Sequence, residues 1–317
     1  MTEKVYLGVD VGGTKTAVLL SARPPEALGR IEFATLPEQG PERALQLIVE
    51  SACSLLAQHG VGVKAIGVSC GSPLDRVKGV IQAPPNLSTW VDVPIRSLLE
   101  KAFDAPCRVE NDANAGAVAE HRFGAGVGTE HMVFLTLGTG LGAGIIANGG
   151  LYLGAGGDAG EIGHVRLSPT GPVGYHKAGS IEGWSSGGGI AQLAAQMLAL
   201  PGGSSSLHGV ENVTARDVGL AAQAGDAVAR SILRRSGERL GQTLAMLMDV
   251  LNPQRIVLGG LAWRMGEPFM APMRRVMERE ALPQTLRACE VVPAALGEKI
   301  GDVAAMCVAM GLEGKGQ

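Results

Sequence analysis

Aromatic side chains are scarce in this chain: Phe, Trp and Tyr make up 3% of 317 residues, against 46% hydrophobic residues overall and 47 glycines. Close backbone packing rather than aromatic anchoring must therefore build the core. No apolar run approaches the roughly 18 residues of a membrane-spanning helix, which argues against a membrane partner. The N-terminus enters a strand at once with no signal peptide, so a cytoplasmic location is expected. The five cysteines, at 53, 70, 107, 289 and 307, contain no CxxC pair. That excludes a cysteine-built metal centre and predicts reduced, mostly buried thiols. A net charge of −3 with scattered Lys and Arg gives no basic stripe, which excludes nucleic acid as a main partner. The Gly-x4-Gly-Lys-Ser/Thr signature of a Walker A loop is also missing.

What is present is a pair of glycine hairpins. Leu7-Gly-Val-Asp10-Val-Gly12-Gly13-Thr14-Lys15-Thr16 and Thr136-Leu-Gly138-Thr139-Gly140-Leu-Gly142-Ala-Gly144 each read as strand, glycine turn, strand. Such turns let successive backbone N–H groups converge on phosphate oxygens, with Thr and Lys adding donors. One hairpin in each half of the chain suggests a nucleotide clamped between two lobes, with Asp10 able to serve a metal-bound triphosphate. The stretch Gly138–Ala143 also fits the dinucleotide pattern GxGxxA, but the residues after it read as a strand and turn, not the helix that must receive a pyrophosphate. A purely structural tight turn is the other alternative for each hairpin taken alone.

The length exceeds the usual single domain, and two lobes are expected. Residues 5–10 and 15–20 form the first hairpin, 42–58 an amphipathic helix and 63–68 a buried strand. A strand ends at Glu110 and an Ala-rich helix runs over 113–123, which places Glu110-Asn111-Asp112 at a strand-to-helix junction, where α/β folds locate chemistry. Residues 149–189 carry no long periodic run, and loops of this length are usually functional. Residues 215–251 are helical with a break at Gly225-Asp226. A strand at 255–258 leads into Gly259-Gly260, which suggests backbone close to a ligand, and an apolar helix over 297–313 returns to the first lobe.

These residues resemble the ROK sugar kinases, members of the actin-like ATPase and hexokinase superfamily. The likeness rests on Asp10-Val-Gly-Gly-Thr14-Lys15, Pro85-Asn86-Leu-Ser-Thr-Trp90, Glu110-Asn111-Asp112-Ala-Asn114-Ala, Leu137-Gly-Thr-Gly-Leu-Gly-Ala-Gly144 and Gly154-Ala-Gly-Gly-Asp-Ala-Gly-Glu161-Ile-Gly-His164. It implies an α/β, two-lobed actin-like (ribonuclease H-like) ATPase fold with a central cleft. Residues 1–114 with about 297–317 would form the small lobe and 115–296 the large one. It further implies ATP and Mg²⁺ as cofactors, a small-molecule sugar as partner and a homodimer. The expected reaction is phosphorylation of a hexose or N-acetylhexosamine at the 6-hydroxyl. Asp112 is the candidate general base, since a carboxylate that accepts the hydroxyl proton activates a poor nucleophile; on spacing alone Asp112 could equally be the N-cap of the following helix. The resemblance assigns sugar hydroxyls to Asn86, Asn111, Glu161, His164 and Glu182. It assigns a hydrated Mg²⁺ to Asp10, phosphates to Gly12, Gly13, Thr14, Lys15, Gly138, Thr139 and Gly140, and adenosine to Gly259 and Gly260.

One departure from the family pattern matters. Many relatives carry CxCGxxGCxE, whose cysteines bind a structural zinc with the preceding histidine. Here Val173, Tyr175 and Ser180 stand at the cysteine positions, and His164 with His176 cannot complete a tetrahedral site. No structural zinc is therefore expected, and packing around Tyr175 and Trp184 must order the loop. The turn Gly71-Ser72-Pro73-Leu74-Asp75 is likewise altered. The alternatives to a kinase are a non-catalytic sugar-responsive regulator or sugar-binding protein, and a repressor. The four residues ahead of the first strand leave no room for a DNA-binding helix-turn-helix.

Overall fold

The computed structural model describes residues 3–201 and 203–311. They fall into two compact units, one of 3–127, 149–151 and 296–311 and the other of 128–148 and 152–295.

In the first unit, β1 (Lys4–Val11) turns back into β2 (Lys15–Ser21), which pairs with β3 (Gly29–Ala34). After α1 (Pro41–His59), β4 (Gly62–Cys70) lies parallel to β1. A small hairpin, β5 (Leu74–Asp75) and β6 (Val80–Ile81), and α2 (Ile95–Phe103) lead to β7 (Cys107–Asn111), which is parallel to β4 and runs directly into α3 (Asp112–Phe123). The sheet order is β3-β2-β1-β4-β7. Val5, Leu7, Val9 and Val11 of β1 are buried, and α1 presents Ala44, Ile48, Ala52 and Leu55, a helical stripe, to the core.

The predicted C-terminal helix is α11 (Ile300–Met310), which packs on β1, β4 and α3. Its residues 303–309 are all buried. A Cβ on Gly67 of β4 would sit 2.2 Å from Ala305 O and 2.2 Å from Ala309 N. The glycine therefore lets helix backbone rest on strand backbone, as the lack of aromatic residues required.

The second unit contains β8 (Met132–Leu137) and β9 (Leu141–Ala147), an antiparallel pair, followed by the short β10 (Gly150–Tyr152) at the division between the units and the hairpin β11 (Val173–Gly174) and β12 (Lys177–Ala178). Then come α4 (Ile181–Ser185), α5 (Gly187–Leu198), α6 (Ala215–Gln223), α7 (Ala227–Leu251), β13 (Arg255–Leu258), α8 (Leu261–Arg264), α9 (Glu267–Glu280), α10 (Pro283–Ala288) and β14 (Glu290–Pro293). β13 is parallel to β8 on one side and β14 on the other. The helix break expected at Gly225-Asp226 is present, and the Asp226 carboxylate caps α7 by accepting from Ala229 N at 2.9 Å. α7 packs closely on α9 through Gly237 and Gly241, where a Cβ would meet Phe269 O at 2.3 Å and Met273 O at 2.4 Å.

Among the described residues no helix is long and apolar enough to cross a membrane. Cys70, Cys107, Cys289 and Cys307 are buried and free, but Cys53 is exposed on α1, so burial does not hold for all five. Burial pushes the Cys107 thiol to about 12 and the Cys289 thiol to about 11, so both stay protonated near neutrality.

Candidate active site

In the first unit the β1–β2 turn is tight: Gly12 N donates to Lys15 O at 3.0 Å. Thr35 holds it from the side, its hydroxyl donating to Gly12 O at 2.7 Å and its N–H to Thr14 O at 3.1 Å. Gly13 is required by a neighbour as well as by any phosphate, because a Cβ there would stand 2.6 Å from the Asn86 Cβ and 2.7 Å from Asn86 O. Asn86 lies exposed on a short 3₁₀ turn, Pro85–Leu87, and its side chain makes no hydrogen bond among the described residues. Thr14 and Lys15 are exposed. Lys15 Nζ pairs with Glu32 at 3.1 Å, Arg30 pairs with the same carboxylate at 2.6 Å, and Arg30 Nε reaches Asp302 at 2.7 Å.

The β7–α3 junction is held by polar contacts. The N-cap of α3 is Asn111, not Asp112: the Asn111 side-chain oxygen accepts from Ala113 N at 2.9 Å and Asn114 N at 3.2 Å, while its Nδ2 donates to the Ser72 hydroxyl at 2.7 Å. Capping by Asn111 releases Asp112 from that structural duty. Beneath the junction Glu110 is buried, accepting from Asn111 N at 3.0 Å and Asn114 Nδ2 at 3.1 Å and pairing with Arg76 at 3.0 Å. Asp112, the first residue of α3, accepts from Ala113 N at 2.8 Å through Oδ1. Desolvation by surrounding protein raises its carboxyl above the ordinary 3.8, opposed by the amide bonds from Ala113 and its own N–H. The side chain keeps access to solvent, which moderates the effect.

Asp10, at the end of β1, is the most perturbed acid of the site. Burial raises its carboxyl from 3.8 to about 7, the charges of Asp112 and Asp302 add to the rise, and Lys15 and Arg30 oppose it. It accepts no side-chain hydrogen bond among the described residues. Gly301, in the first turn of α11, is its close neighbour: a Cβ there would stand 2.0 Å from Asp10 Oδ2. An unsatisfied carboxylate in the field of two further acids fits a hard divalent cation. Among the described residues no three His, Cys, Asp or Glu side chains gather to chelate a metal directly. The donor set therefore suits a Mg²⁺ that keeps most of its waters, the usual habit of that ion.

In the second unit the β8–β9 turn exposes Gly138, Thr139 and Gly140. Gly138 N donates to Gly140 O at 3.0 Å. The start of α5 braces the turn, with Gly187 N donating to Gly138 O at 2.8 Å and Gly188 N to Thr139 O at 3.0 Å. Ser186 caps that helix through Gly189 N. Sequence reasoning missed this brace, although its signal, Ser186 followed by three glycines, was present. Glu182, half-buried, accepts from Leu141 N at 3.0 Å through Oε2, so it buttresses the glycine turn. Gly259 and Gly260 likewise have a structural duty: Gly259 N donates to Leu135 O at 2.8 Å, and a Cβ on Gly260 would stand 2.1 Å from Leu137 O.

Glu161 and His164 are exposed, the first preceding and the second ending a 3₁₀ turn, Ile162–His164. The His164 ring lies edge-on to Tyr175, centroids 6.2 Å apart. Tyr175 and His176 form the two-residue turn between β11 and β12, both with positive φ, 37° and 63°, a conformation costly for bulky residues. Tyr175 is exposed, so it does not anchor the loop through burial. Trp184 does more: its Nε1 donates to the Ser168 hydroxyl at 2.8 Å, and its carbonyl accepts from the Ser236 hydroxyl at 2.7 Å. Of the three positions where relatives carry zinc cysteines, Val173 and Tyr175 are exposed, while buried Ser180 caps α4 by accepting from Gly183 N at 3.1 Å.

The ROK family model matches residues 6–311. A glucokinase of Halalkalibacterium halodurans is 35% identical over 314 residues, covering 95% of this chain and 93% of its own. The crystal structure of a ROK hexokinase from Thermus thermophilus superposes with a TM-score of 0.82 at 32% identity, covering 96% of this chain and 98% of that one. A ROK family glucokinase from Streptomyces griseus, in complex with glucose and AMPPNP, superposes with a TM-score of 0.75 at 33% identity, covering 96% and 99%. The mixed α/β, actin-like ATPase fold expected from the sequence is the fold of these neighbours.

Proposed function

The chain belongs to the ROK family, and from that premise we propose that it is an ATP-dependent sugar kinase that phosphorylates a hexose or N-acetylhexosamine at the 6-hydroxyl, with Asp112 as general base. The observation that carries the reading is the state of Asp112. It sits where a strand end meets a helix start, its Oδ1 is fixed by Ala113 N at 2.8 Å, and the capping role that would otherwise account for it belongs to Asn111.

Asp112 takes the proton of the sugar hydroxyl as the γ-phosphorus is attacked; a positioned base of this kind contributes roughly 10²–10⁴-fold. Asn86 offers an unengaged amide and Asn111 a side chain already oriented by Ser72 and the α3 N-terminus. On the family pattern these, with Glu161, His164 and Glu182, pair the sugar hydroxyls, which are costly to leave unpaired. The glycine turns at 12–13 and 138–140, with Thr14, Lys15 and Thr139, bind the phosphates, and Gly259-Gly260 lies towards adenosine. Asp10 would hold the hydrated Mg²⁺, which when bound supplies charge neutralisation at the phosphates.

The test is ADP release with Mg²⁺-ATP across a panel of hexoses and N-acetylhexosamines, beside Asp112→Asn. Turnover with one sugar, lost in the variant, with the phosphate located on C6 by NMR, is the expected result. Folded protein that binds ATP and sugar without turnover would instead favour a sugar-responsive regulator. A homodimer is also expected, and light scattering would read it directly.

A further inference from the structure

The second unit carries a basic cavity that the kinase reading does not use. Its volume is about 510 Å³, and its walls include Trp184 of α4, Arg234, Arg235, Glu238 and Arg239 of α7, and Arg279 of α9. The α7 residues recur at i, i+1, i+4 and i+5, so one helix face presents them together. Four arginines thus line a space with one carboxylate, and that carboxylate is shared: Glu238 accepts from Arg234 at 3.3 Å and from Arg275 at 3.3 Å. The Arg235 side chain has no hydrogen bond or ion pair among the described residues. Arg239 stacks over Trp184 with its guanidinium 5.0 Å from the ring centre and is oriented by a 2.8 Å bond to Gln242.

We propose that this cavity binds a small phosphate monoester carried on a ring. Guanidinium groups are planar forks that match phosphate oxygens two at a time, and no lysine lines the cavity. Its volume suits a molecule of sugar-phosphate or mononucleotide size. Arg235 takes the phosphate, joined by Arg279 in exchange for its 2.7 Å pairing with Glu280. The Trp184 ring and Val276 supply an apolar wall against which the ester's ring rests. Trp184 lies two residues from Glu182, whose carboxylate braces the β8–β9 turn. If the kinase reading holds, occupancy of the cavity therefore bears on that turn; the binding itself does not depend on that reading.

The experiment is calorimetric titration of the whole protein, with glucose and AMPPNP present throughout, using glucose 6-phosphate, AMP and inorganic phosphate as probes and tryptophan fluorescence as a second readout. One equivalent of an ester is expected to bind, more tightly than inorganic phosphate. A response to glucose 6-phosphate identifies a sugar source, a response to AMP a nucleotide source. R235Q/R279Q, both exposed positions, should weaken binding at least tenfold without changing ADP release in the absence of ester. E238Q should tighten it several-fold by removing the cavity's one carboxylate and freeing Arg234. No ester binding, binding indifferent to both charge changes, or equal binding of inorganic phosphate would overturn the proposal, and each is read without reference to turnover.

Discussion

Asp10→Asn should stabilise the Mg²⁺-free protein, and by more as the pH rises. Burial and the nearby charges of Asp112 and Asp302 lift this carboxyl from 3.8 to about 7, so the fold favours its protonated form. A raised folded-state value means stability that is fully present below about 4 and is lost as the pH climbs through about 7. A rise of roughly 3 units at 1.36 kcal/mol per unit sets a ceiling of about 4 kcal/mol. The side chain is half-buried and its field is shared with the carboxyl groups of Asp112 and Asp302, so solvent screening brings the expected effect to about 2 kcal/mol. For a unit of this size that is roughly 4–8 °C in Tm. Asparagine keeps the shape of the neutral acid and removes the titration. The assay is thermal unfolding of metal-free wild type and variant from about pH 4.5 to about pH 8.5. The gap between the two should be small at the acid end, widen through neutrality and level off above it, and Mg²⁺ should shrink it by stabilising wild type alone. Parallel curves across the range would refute the reasoning.

Other perturbations test other parts of the account. Asp112→Asn should lower kcat by roughly 10²–10⁴-fold with KM for sugar little changed, and the wild-type rate should fall on the acid side with a midpoint above the ordinary carboxylate value of 3.8, since desolvation raises this group. Gly67→Ala should destabilise the first unit by about 1–3 kcal/mol or more, because the new Cβ would stand 2.2 Å from α11 backbone atoms; calorimetry that finds Tm unchanged would contradict the close strand–helix contact. Elemental analysis of protein purified without chelators should show less than stoichiometric zinc, given Val173, Tyr175 and Ser180 in the loop.

The parts of this molecule legible in its sequence are those fixed by local chemistry. Both glycine hairpins, the β7–α3 junction, the break before α7 and the C-terminal helix were all visible because turn residues, periodicity and caps act over a few positions. The full extent of α9 was not, because Pro272 lies inside it and a proline reads as a helix breaker; packing against α7 through Gly237 and Gly241 overrides that local preference. Spacing alone left Asp112 open as an N-cap for a related reason: Asn111 and Asp112 are adjacent and both are good caps, and it is the Asn111 side chain, with its amide held by Ser72, that caps α3.

What sequence could not supply was the surroundings of each charge. Arg30 meets Asp302 across 272 positions, and without that meeting neither the acidic field at Asp10 nor the relay from Lys15 through Glu32 can be inferred. The same holds for Glu182, which the family resemblance offered only as a sugar ligand and which also holds the Leu141 amide 41 positions away. A residue with two duties gives a sharper experiment than one with a single duty. Glu182→Gln keeps an oxygen that can accept from Leu141 N but loses the charge, so it should leave the unfolding free energy within about 1 kcal/mol of wild type while raising KM for sugar if the carboxylate binds a hydroxyl. Glu182→Ala should in addition loosen the Gly138–Gly140 turn and raise KM for ATP. If Glu182→Gln matches wild type while Glu182→Ala loosens the turn, Glu182 serves the turn and not the sugar.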